Sequence, residues 1–510
     1  MATRSYWKKI QIPRYAPLNH SIHVDVLVVG GGMTGVTAAW LLKKSGKKVA
    51  LIERDQCGQA NTGNSTAHLT CVTDLRLHQL MKRFGPDHTR AIWDAGLAAI
   101  DQIHSIIEVE KISCEFTRIP GYLHAALYGN QDETEDLKID VAIAADLGID
   151  AKYIPLVPVF NRPGICFPNQ AKFHPLKYLA ELVSRIPGGG CHVFDQTEAV
   201  EFANGNDGNP VRVTANGHTI TCDVVFMATD VPLAGISNMV SAALLQTKLT
   251  SYTSYAIGAK LPVKVAPEAS FWDTSGPYYY LRIDRNERDH YVVFGGLDHK
   301  TGQESDTGKF FDELEATLRR FLPELQVDHR WSGQVTESHD GLPLIGATVE
   351  RQFIGTGFSG NGITFGTLAA MMVCDSVQDR KNPWHELFDP NRTQIRGGIY
   401  NYLTENLEYP YYMIKDCLRA SEGTTLQDLK RDEGKILKLD GEKVAAYCDA
   451  DGQVTQLSAV CTHLGCIVHW NEAETSWDCP CHGSRFDVTG KVLAGPAETP
   501  LQRHVDKKVN

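Results

Sequence analysis

Four residues near the C-terminal end of the chain have the types and spacing of a metal site. Cys461 and His463 form a C-x-H pair, and Cys479 and His482 form a C-x-x-H pair. Two thiolates and two imidazoles carried on two short loops make a donor set for a transition metal. Cys2His2 suits tetrahedral zinc. The same donors in this order fit a [2Fe-2S] cluster in which one iron takes both cysteines and the other both histidines. Zinc would serve structure; the cluster would make the chain an electron carrier.

The neighbouring residues bear on that choice. CTHLGC (461–466) and CPCHGS (479–484) each hold a further cysteine, Cys466 and Cys481, and GPAETPL (495–501) follows. Together these segments resemble the Rieske family. A zinc knuckle needs none of these additions, yet zinc stays the competing reading. The resemblance implies that Cys461 and Cys479 hold the inner iron and that His463 and His482 hold the outer, more exposed iron. It also implies a Cys466–Cys481 disulfide tying the loops together, with 495–501 covering the cluster. Ser484 matches the hydroxyl that donates to a cluster sulfur. Phe486 stands where high-potential respiratory members carry a tyrosine. Donors to sulfur raise the potential, so the expected value lies below the top of the Rieske range of about −150 to +300 mV.

A second signal opens the chain. VDVLVVGGGMTG (24–35) is an apolar run entering a glycine-rich turn, residues 36–46 have helical spacing, and KKVALIERD (47–55) reads as a second strand. Gly30, Gly32 and Gly35 fit G-x-G-x-x-G, and Glu53, followed by Arg54, ends the second strand where an acid binds a ribose hydroxyl. Gly355, Gly357 and Gly360 repeat the pattern near the end of this region, but no strand ending in an acid follows. A second dinucleotide site is therefore not expected there. The nucleotide at the first turn is NAD or FAD on these residues alone; Gly357, Gly360, Asn361, Gly362 and Ile363 argue for FAD, because a glycine-rich turn opening a helix can point its positive end at a flavin ring. The pattern over 24–375 resembles the D-amino-acid-oxidase/glycine-oxidase-like FAD oxidoreductases. That resemblance implies Val200 at the adenine, Ala228 and Thr229 in an Ala-Thr-Gly-type strand end with Asp230 in the glycine's place, and Ser65 and Thr66 under the pyrophosphate. The arginine common in that last segment is absent.

The expected fold class is an α/β FAD-binding domain of Rossmann type with an interleaved antiparallel substrate subdomain, followed by an all-β Rieske module. The FAD domain is expected over 1–395, with its subdomain near 95–190 and 240–335. A connector is expected at 396–425, including the tyrosine-rich 407–414, and the module at 426–510. Alternation in 434–460, with turns at Asp440-Gly441 and Asp451-Gly452, reads as strands. The chain has 510 residues, 43% hydrophobic, with net charge −11, which disfavours nucleic acid or an anionic membrane as partner. No apolar stretch approaches the length of a membrane span and no signal core is visible, so a cytoplasmic location is expected. Thirteen mostly scattered cysteines agree with a reducing compartment.

Alternation over 278–282 puts Tyr278, Tyr280 and Arg282 on one strand face. Tyr280, Arg282 and His124 are the candidate catalytic side chains, against the plainer reading of a half-solvated strand and a satisfied histidine. Family members acting on α-amino acids carry an arginine clamp between Trp-x-Gly and Asp-Gly-x-Pro; here the position is Val335 in WSGQVTESHDGLP (331–343). The Gln-Val form is similar to polyamine-type members, which points to an amine or N-substituted amine as substrate. Electrons would then pass from FAD to the cluster and on to an external acceptor protein. Two alternatives remain: a donor feeding electrons inward through the cluster for a reductive or monooxygenase reaction, and a non-catalytic redox sensor.

Overall fold

The computed structural model describes residues 4–129, 131–203, 205, 209–231, 245, 247–262, 266–285, 289–304, 306–392, 421–463 and 465–504. Most of the expected connector, including 407–414, lies outside them.

The apolar run Ile22–Val29 is the centre of a mainly parallel sheet. It pairs with Val49–Ile52 on one side and His218–Asp230 on the other, and helix Met33–Lys44 crosses between the first two. The strand order runs Leu344–Val349, Gln352–Thr356, His218–Asp230, Ile22–Val29, Val49–Ile52, His192–Phe194. Val24, Leu27 and Val28 are fully buried, as a parallel strand covered on both faces requires. Helix Gly362–Val377 packs beside Met33–Lys44, so two helix N-termini are presented at the same end of the sheet.

A second, nine-stranded sheet stands over that end. Its edge strand, Gln326–Ser338, pairs with Leu249–Pro262, followed in order by Asp289–Lys300, Tyr280–Arg285, Ser270–Asp273, Thr117–His124, Gly164–Lys172 and His68–Leu69. Register pairs Ser254 with Gly333 and Ala256 with Trp331, while Thr253 pairs with Gln334. Because side chains alternate between faces, the first two pairs and the third belong to opposite sides of the sheet.

The C-terminal module has two antiparallel sheets. Glu433–Leu439, Glu442–Cys448 and Val454–Ser458 form one; His469–Asn471, Ser476–Asp478, Arg485–Asp487 and Val492–Ala494 form the other. The first hairpin turns at Asp440 (φ 49°) and Gly441 (φ 86°), and two positive φ angles in succession define the I′ turn. Trp477, Phe486 and Leu457 are buried at its centre. Among the described residues no helix is long and apolar enough to cross a membrane.

Candidate functional site

The dinucleotide turn closes because two positions lack a side chain. A Cβ on Gly30 (φ 109°) would sit 2.5 Å from the Ala228 carbonyl oxygen, and one on Gly35 would sit 1.9 Å from that of Gly30. Gly30 and Gly32 line a cavity of about 790 Å³, within the range usual for ligand sites, while Gly35 packs beneath the turn. Glu53, Arg54, Val200, Ala228 and Thr229 line the same cavity. The Glu53 carboxylate accepts from the Gly31 N–H (2.7 Å) and the Asp55 N–H (2.9 Å); burial pushes its pKa up and these donors oppose the shift.

The cavity continues past Ser65 and Thr66 to Gly360, Asn361, Gly362 and Ile363 at the start of helix Gly362–Val377. Gly357 (φ 69°) shapes the turn behind them. Where an arginine is missing from 63–70, two tryptophans hold the loop: Trp331 Nε1 donates to the Asn64 carbonyl (2.9 Å) and Trp7 Nε1 to that of Ser65 (2.7 Å). Asp230 adopts φ 69°, which accounts for the glycine expected at this place. Its Oδ2 accepts from Asn61 Nδ2 (2.9 Å) and Thr336 Oγ1 (3.0 Å), and burial raises its carboxyl to about 6. The extended shape, the glycine cradle and the two helix N-termini fit FAD.

The cavity is also lined by Tyr278, Tyr280, His68, Ser254, Asp298 and Asp74. The Asp74 carboxylate accepts from the Tyr278 hydroxyl (3.2 Å) and the Gly360 N–H (3.0 Å). Val335 also faces the cavity. The cavity's cationic side chains lie elsewhere along it: Arg54 beside Glu53, Lys8 against Gly63, and Arg485 paired with Asp478.

Two of the three candidate catalytic side chains are misassigned by the sequence reading. Arg282 shares the face of Tyr280 but is sealed, at 1% exposure. Its guanidinium forms a two-point pair with Asp284 (2.7 and 2.9 Å), donates to the Ala67 (2.7 Å) and Phe173 (3.0 Å) carbonyls and lies over Trp7. It anchors the 66–67 loop and reaches no substrate. His124 is equally buried. Its Nδ1 contacts the Ala125 carbonyl (2.9 Å), its ring packs on Phe160, and it does not line the cavity. For Arg282 alternation assigned the face, and only a distant segment, Trp7, decides that it is closed; His124 is likewise closed, by Phe160. Tyr280 does line the chamber.

In the C-terminal module, Cys461 and Cys479 are buried side by side, close enough for their sulfur atoms to share a hydrogen bond. The rings of His463 and His482 stand 5.0 Å apart, and burial lowers both to about 4, so both are neutral donors at physiological pH. Cys466 and Cys481 are joined in a disulfide. The buried Ser484 hydroxyl accepts from the Ala497 N–H (3.1 Å) and keeps its own proton to donate. Two adjacent thiols facing two adjacent imidazoles fit a mixed-ligand [2Fe-2S] cluster.

The cluster loop rests on the outer face of the second sheet. Gln334 Nε2 donates to the Gly483 carbonyl (2.7 Å), one residue beyond His482. A Cβ on Gly483 would lie 2.6 Å from Ser251 Cβ, and one on Gly302 would lie 2.7 Å from the Cys479 carbonyl carbon. Thr307 Oγ1 donates to Asn471 Oδ1 (2.8 Å), and Lys491 pairs with Asp55 at the other side. Thus Gly333, Gln334 and Val335 all line the flavin cavity, and Gln334 also touches the cluster loop. Gln334, Asp298, Asp74 and His68 were not singled out from sequence. Alternation along 331–336 carried a signal for Gln334; the other three meet only through the fold.

A protein-family model for the FAD dependent oxidoreductases (DAO) matches residues 25–376, and one for the Rieske [2Fe-2S] domain matches residues 424–505. The latter decides the metal in favour of the cluster over zinc. YhfW of Bacillus subtilis (strain 168), named as a Rieske 2Fe-2S iron-sulfur protein, is 30% identical over 509 residues, spanning 98% of this chain and 97% of its own. The cytochrome b6-f complex iron-sulfur subunit of Chlorobaculum tepidum is 42% identical over 118 residues, 22% of this chain and 65% of that one. Glycine oxidase from Geobacillus kaustophilus has a TM-score of 0.62 at 16% identity, covering 74% of this chain and 100% of that one; the likeness at this identity is one of fold.

Proposed function

Because the chain belongs to the DAO family of FAD-dependent oxidoreductases and carries a Rieske [2Fe-2S] domain behind it, we propose that it is an amine dehydrogenase with its own electron outlet. The reading rests on one observation: strand Gln326–Ser338 lines the flavin cavity with Gly333, Gln334 and Val335, and Gln334 also donates to the cluster loop at Gly483. Bound FAD supplies a two-electron sink and the [2Fe-2S] cluster a one-electron outlet.

Val335 removes the carboxylate clamp, and the acidic, aromatic chamber favours a cation over an α-amino acid. Tyr278 and Tyr280 wall the amine in and exclude water. The substrate C–H hydrogen leaves with both bonding electrons, and the nitrogen lone pair closes a C=N bond. Water then hydrolyses the imine to a carbonyl and a smaller amine. Gln334 ties the cluster loop to the wall of the flavin cavity, which gives electrons a short protein route between the two centres. His463 and His482, the ligands proposed for the outer iron, are the exit from which an external acceptor protein collects the electrons.

The test is anaerobic addition of an amine panel to the purified holoprotein. Primary or secondary amines bleach the flavin band without a second protein, and α-amino acids do not. Bleaching by α-amino acids alone contradicts the reading, as does a flavin that responds only to an electron donor entering through the cluster.

A further inference from the structure

The chamber contains a carboxylate that the fold leaves half satisfied. Asp298, near the end of strand Asp289–Lys300, lines the cavity, and its Oδ1 is buried with no hydrogen-bond partner among the described residues. The Ser254 hydroxyl bonds the same carboxyl. Ser254 Oγ is 3.0 Å from the Tyr280 hydroxyl, which is 3.3 Å from the Tyr255 carbonyl. Ser254 and Tyr280 therefore stand beside the Asp298 carboxyl, whose Oδ1 is left for a ligand. An unpaired buried acceptor is costly, so its persistence at a cavity wall points to a donor or cation arriving from outside the protein.

The walls agree on the sign of that ligand. Tyr278 and Tyr280 have ring centroids 6.0 Å apart, and His68 stands edge-on to Tyr280 at 5.6 Å. Aromatic faces attract a desolvated ammonium. The titratable groups around Asp298 are Asp74 at the rim, Tyr278, Tyr280, His68 across Tyr280, and Glu337 beyond Tyr278. His68 is lowered to about 4 by burial and is neutral, so none of them supplies a competing cation.

We infer that Asp298, oriented by Ser254 and Tyr280, is the receptor for a substrate ammonium group and takes up its proton before oxidation. This rests on the amine reading above and names the residue that selects the substrate. The N–H bond of the ammonium breaks, an O–H bond forms at Asp298 Oδ1, and the positive and negative charges cancel. The freed lone pair is the one that closes the C=N bond as the C–H hydrogen and its two electrons leave for FAD. The substrates selected are primary or secondary alkylamines without an α-carboxylate, which would face Asp298 and Asp74 as a like charge. Burial raises Asp298 to about 7, so the charged receptor form grows in as pH rises through neutrality.

The test uses tetramethylammonium, a cation that cannot be oxidised by this route, titrated into the holoprotein at several pH values. Binding is read from perturbation of the flavin spectrum, with acetate as the anionic control. Wild type binds the cation more tightly as pH rises through about 7. Asp298→Asn, checked for unchanged flavin and cluster absorbance, loses about tenfold or more in affinity, and its pH dependence flattens. Tyr280→Phe keeps the pH dependence. Equal cation affinity in Asp298→Asn and wild type overturns the assignment, as does tighter binding of acetate than of the cation. Neither result touches amine oxidation itself. Conversely, a wild type that binds the cation through Asp298 but is bleached by no amine removes the proposed reaction and leaves the receptor standing.

Discussion

The two cofactor sites are built in opposite ways. The proposed cluster ligands are four side chains within 461–482, and the backbone serves to bring two short loops together. The flavin cavity draws on residues from Lys8 to Pro500 and depends largely on backbone: glycines without a Cβ, helix N-termini and strand ends. A side-chain site is local and fails when one ligand is changed. A backbone site is distributed and fails when space is taken from it. The two should therefore be separable by mutation, although they touch.

The largest effect tests this from the cluster side. Cys479→Ser removes a ligand, and iron analysis with visible spectra should show cluster lost and FAD retained. Loss of both cofactors would mean that the module's folding and the flavin cavity are one unit. Gly35→Val tests the other side. Its side chain would begin 1.9 Å from the Gly30 carbonyl oxygen, so the purified protein should lack the flavin bands and keep those of the cluster. Retained flavin at wild-type occupancy would contradict the cradle described here.

Smaller changes sharpen the comparison. Arg282→Met leaves Asp284 buried with Lys172 as its remaining cationic partner, and breaking such a pair costs about 3–5 kcal/mol. Chemical denaturation should register that loss, together with weaker FAD retention through the freed 66–67 loop. Gln334→Leu should have the smallest effect on stability. It removes the hydrogen bond to Gly483 and should slow electron passage to the cluster. Stopped-flow spectroscopy should meanwhile find the rate of flavin bleaching by amine unchanged. An equal slowing of both steps would place Gln334 in the oxidation chemistry instead.

The same contrast explains what the sequence made legible. Cysteine and histidine spacing points to the cluster because the ligands are close in the chain and few other chemistries need them. The glycine turn with Glu53 in register is nearly as plain, since strand, turn and helix are contiguous. The chamber is different. His68, Asp74, Ser254 and Asp298 come from separate strands and loops, and no spacing links them. Arg282 shows the reverse error, a strand position that alternation opens and Trp7 closes. Strand Gln326–Ser338 was half visible: its departure at Val335 could be read, but Gln334 acquires meaning only once the cluster loop is seen against it.

The central claim is that electrons cross from the flavin cavity to the cluster within one polypeptide. Its most direct test is rapid anaerobic mixing with an active amine at several protein concentrations, following flavin and cluster bands together. The account predicts that flavin bleaching is followed by cluster reduction at a rate independent of protein concentration. A rate proportional to protein concentration, or a cluster that stays oxidised while the flavin is bleached, would contradict it.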